Sequence, residues 1–438
     1  MFKRDIRRNL LELLHNNSRN VIIVEGARQV GKSTLINEAL QAYPESVKIN
    51  LETDLLTLKE IDGTNSFRDL EVILEHRFGV KDEKNKILFI DEAQESIKLG
   101  NYVRSFKEQW KDTKVILTGS SMTRLFKERI PVGRYSTILI TPLNFYEFLE
   151  ARSKTSLLDA VNSFAEKPEL SATIHKLFLE ELEIYFSLGG MPEVIKDYLN
   201  GKDWRRTRLE IRLSQQEDFI RKSGISDGEL FTQALKGIAS HLGYPSKYTH
   251  FSDNQYQAKK IINLLQAWKL VVEVPQRGIA TTSKFFPKRY LYDIGIAQDL
   301  REHPFPNISI LNTLSSNLRV PLGGLFENSL LLQLISSPEV YGIAGWKNSS
   351  DENKEVDFVV DSNINIPIEC KASLKISPRS FYGLREYLKL SEQKSALLLS
   401  LAPYQKIKYQ KDDGQEVKII NLPFYAARMD IIKKTTSA

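Results

Sequence analysis

One octapeptide constrains this chain more than anything else in it. Gly26-Ala27-Arg28-Gln29-Val30-Gly31-Lys32-Ser33 follows the apolar run Val21-Ile22-Ile23-Val24 and opens a stretch with helical apolar spacing. A strand, a loop with two glycines separated by four residues and followed at once by a Lys-Ser pair, and a helix form a cradle for phosphate. The glycines let backbone N–H groups curl around phosphate oxygens, and the helix N-terminus adds the positive end of its dipole. In that geometry 26–34 is the nucleotide-binding segment: Lys32 reaches the β- and γ-phosphates, Ser33 ligates Mg²⁺, and Thr34 lies beside the α-phosphate. The competing reading is an ordinary glycine-rich turn before a helix.

A second signal stands about 60 residues on. Ile87-Leu88-Phe89-Ile90 ends in Asp91-Glu92, which puts two carboxylates at the carboxyl end of a buried strand, where open α/β sheets take their ligands. Asp91 is expected in the Mg²⁺ shell, and Glu92 on the attacking water. Taken alone, the pair also reads as a solvated turn or a helix cap. Val115-Ile116-Leu117-Thr118 then ends in Gly119-Ser120-Ser121. Ser120 or Ser121 fits a sensor of the γ-phosphate or water, or a plain Gly-Ser turn. Pro131-Val132-Gly133-Arg134 precedes a fifth strand, and Arg134 fits an arginine finger, in cis or across a subunit interface, as well as a surface arginine.

Around these motifs the first 150 residues alternate short β-branched runs (21–24, 47–51, 87–90, 115–118, 137–141) with helical stretches (32–42, 67–77, 102–111). That alternation predicts a parallel sheet covered on both faces. A length of 438 residues exceeds what one core serves. The expected organisation is α/β: a P-loop core at 1–142, a helical lid at 143–204, a winged helix at 205–305, and a small α/β domain at 306–438. The lid is interrupted by Gly189-Gly190-Met191-Pro192. The last boundary is the proline-stiffened Glu302-His303-Pro304-Phe305-Pro306-Asn307.

The order of 26–33, Asp91-Glu92, Gly119-Ser120-Ser121 and Gly133-Arg134, followed by Pro142-Leu143-Asn144-Phe145-Tyr146-Glu147, resembles a prokaryotic AAA+ ATPase family carrying a C-terminal domain of unknown function. Gly189-Gly190-Met191-Pro192 is similar to the Gly-x-Pro element in the lid of the related STAND and archaeal ATPases. The resemblance implies ATP rather than GTP as cofactor, together with Mg²⁺. No Asn-Lys-x-Asp guanine-reading motif follows the fourth strand either.

The C-terminal part holds a further constellation. Glu327 lies on a helix, Glu355-Val356-Asp357 begins one strand, and Ile366-Pro367-Ile368-Glu369-Cys370-Lys371 forms another, paired to it across 361–365. Alternation sets Glu369 and Lys371 on one face, where Asp357 of the neighbouring strand would meet them. Two carboxylates and a lysine can bind Mg²⁺ and activate water for phosphodiester cleavage. The arrangement resembles the PD-(D/E)xK nuclease fold, with Asp357, Glu369 and Lys371 in its acidic, acidic and lysine positions and Glu327 in its helical acid position. A polar hairpin face, or a nuclease-like domain kept only for binding, accounts for the same residues.

Charge leaves the partner open. The balance is +6, and residues 244–302 hold nine Lys/Arg against five Asp/Glu, with Tyr244, Tyr248 and Tyr256 near Lys259-Lys260. Basic residues among aromatics suit nucleic acid, while winged helices also serve as protein-packing modules. Cys370 is the lone cysteine and six histidines are scattered without ligand spacing, which argues against a disulfide framework and a zinc site. With no ~20-residue apolar run and no signal-like N-terminus, a cytoplasmic protein without membrane contact is expected. Three functions compete: an ATP-driven enzyme on DNA, a nucleotide-controlled switch or scaffold, and an ATPase that remodels a protein. A homo-oligomer fits each.

Overall fold

A computed structural model describes residues 2–16, 21–121, 135–224, 228–278, 285–314, 316–351, 354–411 and 414–437. The chain divides into two compact units. One comprises Lys3–Thr141 with Leu264–Leu270; the other comprises Pro142–Asn263 and Val271–Ala438.

The first unit is built on five strands: β1 (Val21–Glu25), β2 (Ser46–Asn50), β3 (Ile87–Asp91), β4 (Lys114–Gly119) and β5 (Ser136–Leu139). Their order is β2-β3-β4-β1-β5, and every pairing is parallel. All residues of β3 and β4 are buried, as strands covered on both faces must be. One face packs Val21, Ile23, Leu88, Ile90, Val115 and Leu117 against Leu74 of the helix Phe67–Phe78, Val103 and Phe106 of the helix Leu99–Gln109, and Trp110, which caps the latter. Helices Ile6–His15 and Leu55–Gly63 add to the three expected from apolar spacing. The first helix after Ser66 is started by a reciprocal Ser66/Asp69 capping box and stopped by Gly79 in the left-handed region. Register brings the ends of the strands level: Glu25 pairs with Gly119, and Asn50 with Asp91. The loops after β1, β3 and β4 therefore open at one edge of the sheet.

In the second unit helices come first: Phe145–Ala151, Thr155–Asn162, Ala172–Leu188, Pro192–Leu199, Trp204–Ser223 and Gly228–Ser240. The break at 189–192 has a packing reason. Gly190 accepts from Leu143 N at 2.7 Å and donates to the buried Asp293 at 2.7 Å, and a Cβ there would lie 2.3 Å from Leu143 O. Only glycine allows that approach. Next come β6 (Val271–Val274), β7 (Gln276–Arg277) and β8 (Lys288–Leu291). β6 and β8 form an antiparallel pair.

β7 joins a seven-stranded mixed sheet instead, pairing with β9 (Gly342–Lys347). The remaining strands are β10 (Glu355–Asp361), β11 (Asn365–Lys371), β12 (Ser395–Ser400), β13 (Gln405–Gln410) and β14 (Glu416–Pro423), in the order β13-β14-β12-β11-β10-β9-β7. β13 has no counterpart in the sequence reading, because its alternation of lysine and glutamine with Ile407 and Tyr409 resembles a polar loop. Val356, Leu398 and Ile419 face a core with Trp346 and Leu384, the latter from the helix Tyr382–Leu390. Alternation therefore turns Asp357 to the opposite face. Among the described residues, no helix is long and apolar enough to cross a membrane.

Candidate functional site

The loop after β1 assembles around backbone rather than side chains. Gly26 must lack a Cβ, which would stand 2.3 Å from Ile140 O. Gly31 sits in the left-handed region at φ 94° and precedes the helix Lys32–Ala39. Ala27 and Val30 are buried, Arg28 reaches Glu52 at 3.5 Å, and Gln29 adopts φ 66° at the exposed crest. Ser33 is half-buried and Thr34 exposed in the first turn of the helix.

Lys32 is the focus. Its side chain is buried, and its ammonium donates to Gly26 O at 3.0 Å and Ala27 O at 2.8 Å. Burial pulls its pKa below the ordinary lysine value, and the carboxylates of Glu92 and Asp91 work against that pull. A buried ammonium satisfied by uncharged carbonyls is poised for an incoming anion.

Asp91 ends β3 and is itself buried. Thr118 of β4 donates its hydroxyl to Asp91 Oδ1, and Asn50 Nδ2 donates to Oδ2 at 3.4 Å. Thr118 stood in the sequence inside the quoted motif but carried no role there; Asn50 gave no signal. Glu92 takes φ 52°, ψ 42°, a left-handed conformation that costs a non-glycine residue roughly 1–3 kcal/mol and clusters at functional positions. Gln94 donates its amide to Glu92 Oε2 and holds the carboxylate in place. Ser120 and Ser121 are both buried at the end of β4, level with the loop after β1. Arg134, the finger candidate, lies outside the described residues. The oxygen donors Ser33 and Asp91 suit Mg²⁺, a hard cation, and the caged Lys32 suits the phosphates that would bring it.

The second constellation also assembles. Glu327, from the helix Ser316–Ile335, and Asp357, Glu369 and Lys371 come together on the face of β10 and β11 away from the apolar core. The β10–β11 register that pairs Phe358 with Ile368 sets Asp357 opposite Glu369, one step further along. Lys371 pairs with Glu369, and Cys370 N donates to Asp357 Oδ2 at 2.9 Å.

The centre holds two residues that the sequence reading did not place there. Lys288 of β8 is fully buried, with its ammonium 2.8 Å from Asp357 Oδ1, 3.3 Å from Glu327 Oε2 and 3.6 Å from Glu355 Oε1. Tyr290, two residues on, donates its hydroxyl to Glu327 Oε2 at 2.6 Å. In the sequence Lys288 was one of nine basic residues in a stretch read for nucleic-acid contact. Burial opposes its charge, yet Asp357 and Glu327 raise its pKa well above the usual lysine range. Burial and the Asp357 charge push Glu327 up to about 7 and Glu369 up to about 8. For Asp357, burial is outweighed by Lys288 and Lys371, and its pKa falls. Among the described residues no group of three or more His, Cys, Asp or Glu is placed to hold a metal ion.

A glycine-rich loop, an acidic strand end and a polar strand end meet on one edge of a parallel sheet, a P-loop-like α/β arrangement. Residues 18–149 match the AAA domain family. Residues 179–305 and 322–425 match two families each described as a domain of unknown function, DUF8612 and DUF4143. An uncharacterised protein of Haemophilus influenzae is 24% identical over 287 residues, which cover 60% of this chain and 66% of that protein's length. Among solved structures, a Walker-type ATPase of Pyrococcus abyssi aligns at 18% identity over 69% of this chain and 96% of its own, with a TM-score of 0.45. Drosophila ORC bound to DNA aligns at 13% identity over 64% and 90%, with a TM-score of 0.23.

Proposed function

We propose that this chain hydrolyses ATP with Mg²⁺ at the loop after β1 and couples turnover to DNA through its C-terminal half. The observation that carries the ATPase reading is Lys32, a buried ammonium held by two carbonyls and faced by Asp91 and Glu92. On ATP binding its ammonium exchanges those carbonyls for phosphate oxygens. Ser33 and Asp91 would hold Mg²⁺, which supplies charge neutralisation at the phosphates. Glu92, aimed by its strained backbone and by Gln94, orients the attacking water, and Ser120 senses the γ-phosphate. The test is ATP turnover with and without duplex DNA, with Lys32→Ala as control. Loss of turnover in that variant supports the site, and wild-type turnover in it overturns it.

The DNA half rests on the helix Gln255–Ala267 of the winged-helix-like region. Its Tyr256 is 79% exposed, with Lys259 and Lys260 exposed on the same helix. Exposed lysines beside an exposed aromatic serve phosphate contact and stacking. Binding that weakens steeply with salt is expected, and loses slope in Lys259→Ala/Lys260→Ala. If Arg134 acts as a finger in trans, an Arg134→Ala and Lys32→Ala mixture regains activity, and turnover rises faster than linearly with protein concentration.

A second reading, a nucleotide-controlled switch whose nuclease-like centre is silent, is favoured by one observation. Lys288 occupies the middle of that centre.

A further inference from the structure

A cluster of carboxylates buried away from water needs positive charge among them, and such centres usually obtain it from a divalent cation. In this centre the charge comes from the chain itself. The Lys288 ammonium lies within 3.6 Å of Asp357, Glu327 and Glu355, with no exposed side-chain surface. The remaining valences are arranged around it. Tyr290 donates to the Glu327 oxygen that faces the ammonium, and the second Asp357 oxygen is taken by Cys370 N. Glu369 Oε1 is held by Lys371, while Glu369 Oε2 is buried with no hydrogen-bond partner.

We propose that Lys288 is the built-in cation of this acidic centre, seated where a divalent ion would bind, and that removing its ammonium converts the cluster into a site for Mg²⁺ or Mn²⁺. Three further features of the centre support this beyond the ion pairs. Lys288 sits on β8 and reaches carboxylates on a helix and on β10, so it bridges elements far apart in sequence. The ligands it gathers are all oxygens, the set that Mg²⁺ and Mn²⁺ prefer. The unpartnered Glu369 oxygen is a spare ligand beside Asp357. Oxygens held at 2.8–3.3 Å from the ammonium would need to close by about 1 Å to reach the ~2.1 Å of a Mg²⁺ ligand.

The proposal concerns the second unit alone and stands whether or not the ATPase couples to DNA. It makes the wild-type centre indifferent to divalent metal, and therefore unable to cleave phosphodiesters by a metal-activated water.

The experiment uses the full chain without nucleotide. Mn²⁺ is titrated and followed by electron paramagnetic resonance of the free ion, alongside melting temperature. The proteins are wild type, Lys288→Met, Asp357→Asn, and the Lys288→Met/Asp357→Asn double variant. Wild type and Asp357→Asn should bind Mn²⁺ indistinguishably, any residual uptake belonging to sites elsewhere. Lys288→Met should gain one Mn²⁺ at least tenfold tighter than wild type, with a melting temperature raised by Mn²⁺, and the double variant should lose both gains. Lys288→Gln, which keeps a donor in the centre, is the second variant should Lys288→Met fold poorly. Folding of either variant only when Mn²⁺ is supplied supports the proposal. Wild-type Mn²⁺ binding that disappears in Asp357→Asn overturns it. So does a folded Lys288→Met or Lys288→Gln with no added Mn²⁺ affinity, or failure of both to fold even in Mn²⁺.

Discussion

Two buried lysines, one in each unit, show what surroundings do to the same side chain. Lys32 is enclosed by a glycine-rich loop and its ammonium donates to carbonyl oxygens, while Asp91 and Glu92 offset its burial only in part. Lys288 is enclosed by carboxylates and is neutralised where it lies. Their pKa directions follow. Burial wins at Lys32 and lowers it, whereas the Asp357 and Glu327 charges win at Lys288 and raise it. A lysine with uncompensated charge suits a ligand that brings negative charge and leaves again. A lysine already paired makes a fixed part of the fold. Basicity or burial alone does not separate a binding lysine from a structural one; the charge of its partners does.

Substitutions at either lysine and its neighbours should separate the two environments. The largest effect is expected from Lys288→Met, which strands Asp357 and Glu327 in the interior without a counter-charge. Removing one member of a buried charge cluster costs about 3–5 kcal/mol, so the melting temperature of the second unit should fall by many degrees while that of the first is unchanged. Equal melting of wild type and variant would show that the pairing contributes nothing.

Lys32→Ala should do the reverse, leaving stability near wild type and removing turnover. Loss of one preorganised group facing developing charge costs ~10²–10³-fold in kcat, measurable by phosphate release. A smaller but cleaner effect is expected for Glu92→Gln. Turnover should fall by about 10²-fold while ATP affinity holds, because the role proposed for the group is on water rather than on the nucleotide. Undiminished turnover in Glu92→Gln would remove Glu92 from the mechanism.

Titration sharpens the contrast further. Glu327 and Glu369 have folded pKa values of about 7 and about 8, above the ~4.3 of a free glutamate. Their contribution to stability is complete below pH ~4 and is lost as pH rises through 7 to 8. Asp357, shifted down, contributes in the opposite sense and loses its share only in acid. The second unit should therefore melt lower at pH 8.5 than at pH 5.5, and Glu369→Gln should flatten that slope. The smallest effect belongs to Asn50→Ala. It removes the 3.4 Å hydrogen bond to Asp91, worth about 1 kcal/mol, together with the acceptor for Glu52 N and Thr53 N, and should appear as a several-fold higher Mg²⁺ requirement for turnover.

The two sites also differ in how far they could be read before folding. The loop after β1 is contiguous: Gly26, Gly31, Lys32 and Ser33 lie within eight residues, and the chemistry proposed for them is read from spacing. Asp91 could be read because a strand's end is visible in the run that precedes it. Thr118 and Asn50 became partners of Asp91 only when parallel register set β2 and β4 on either side of β3. Glu327, Asp357, Glu369 and Lys371 were legible as a resemblance, and they do meet. Lys288 was not legible. It stands 39 residues before Glu327 and 69 before Asp357, in a stretch whose positive charge suggested a solvated face.

By itself the sequence determined the local pieces of this protein: the glycine-rich loop after β1, the acidic strand end, the alternation that makes a parallel sheet, and the glycine break at 189–190. Each depends on neighbours a few residues apart, through backbone conformation, side-chain periodicity and helix capping. Tertiary structure alone decided which charges would be buried together. The antiparallel pairing of β6 with β8, and the departure of β7 to the edge of the larger sheet, accompany a lysine from the hairpin strand lodged among carboxylates of distant elements. A buried charge is tolerated only with a partner. Partners of that kind are fixed by strand register and packing across the chain, which no local spacing encodes.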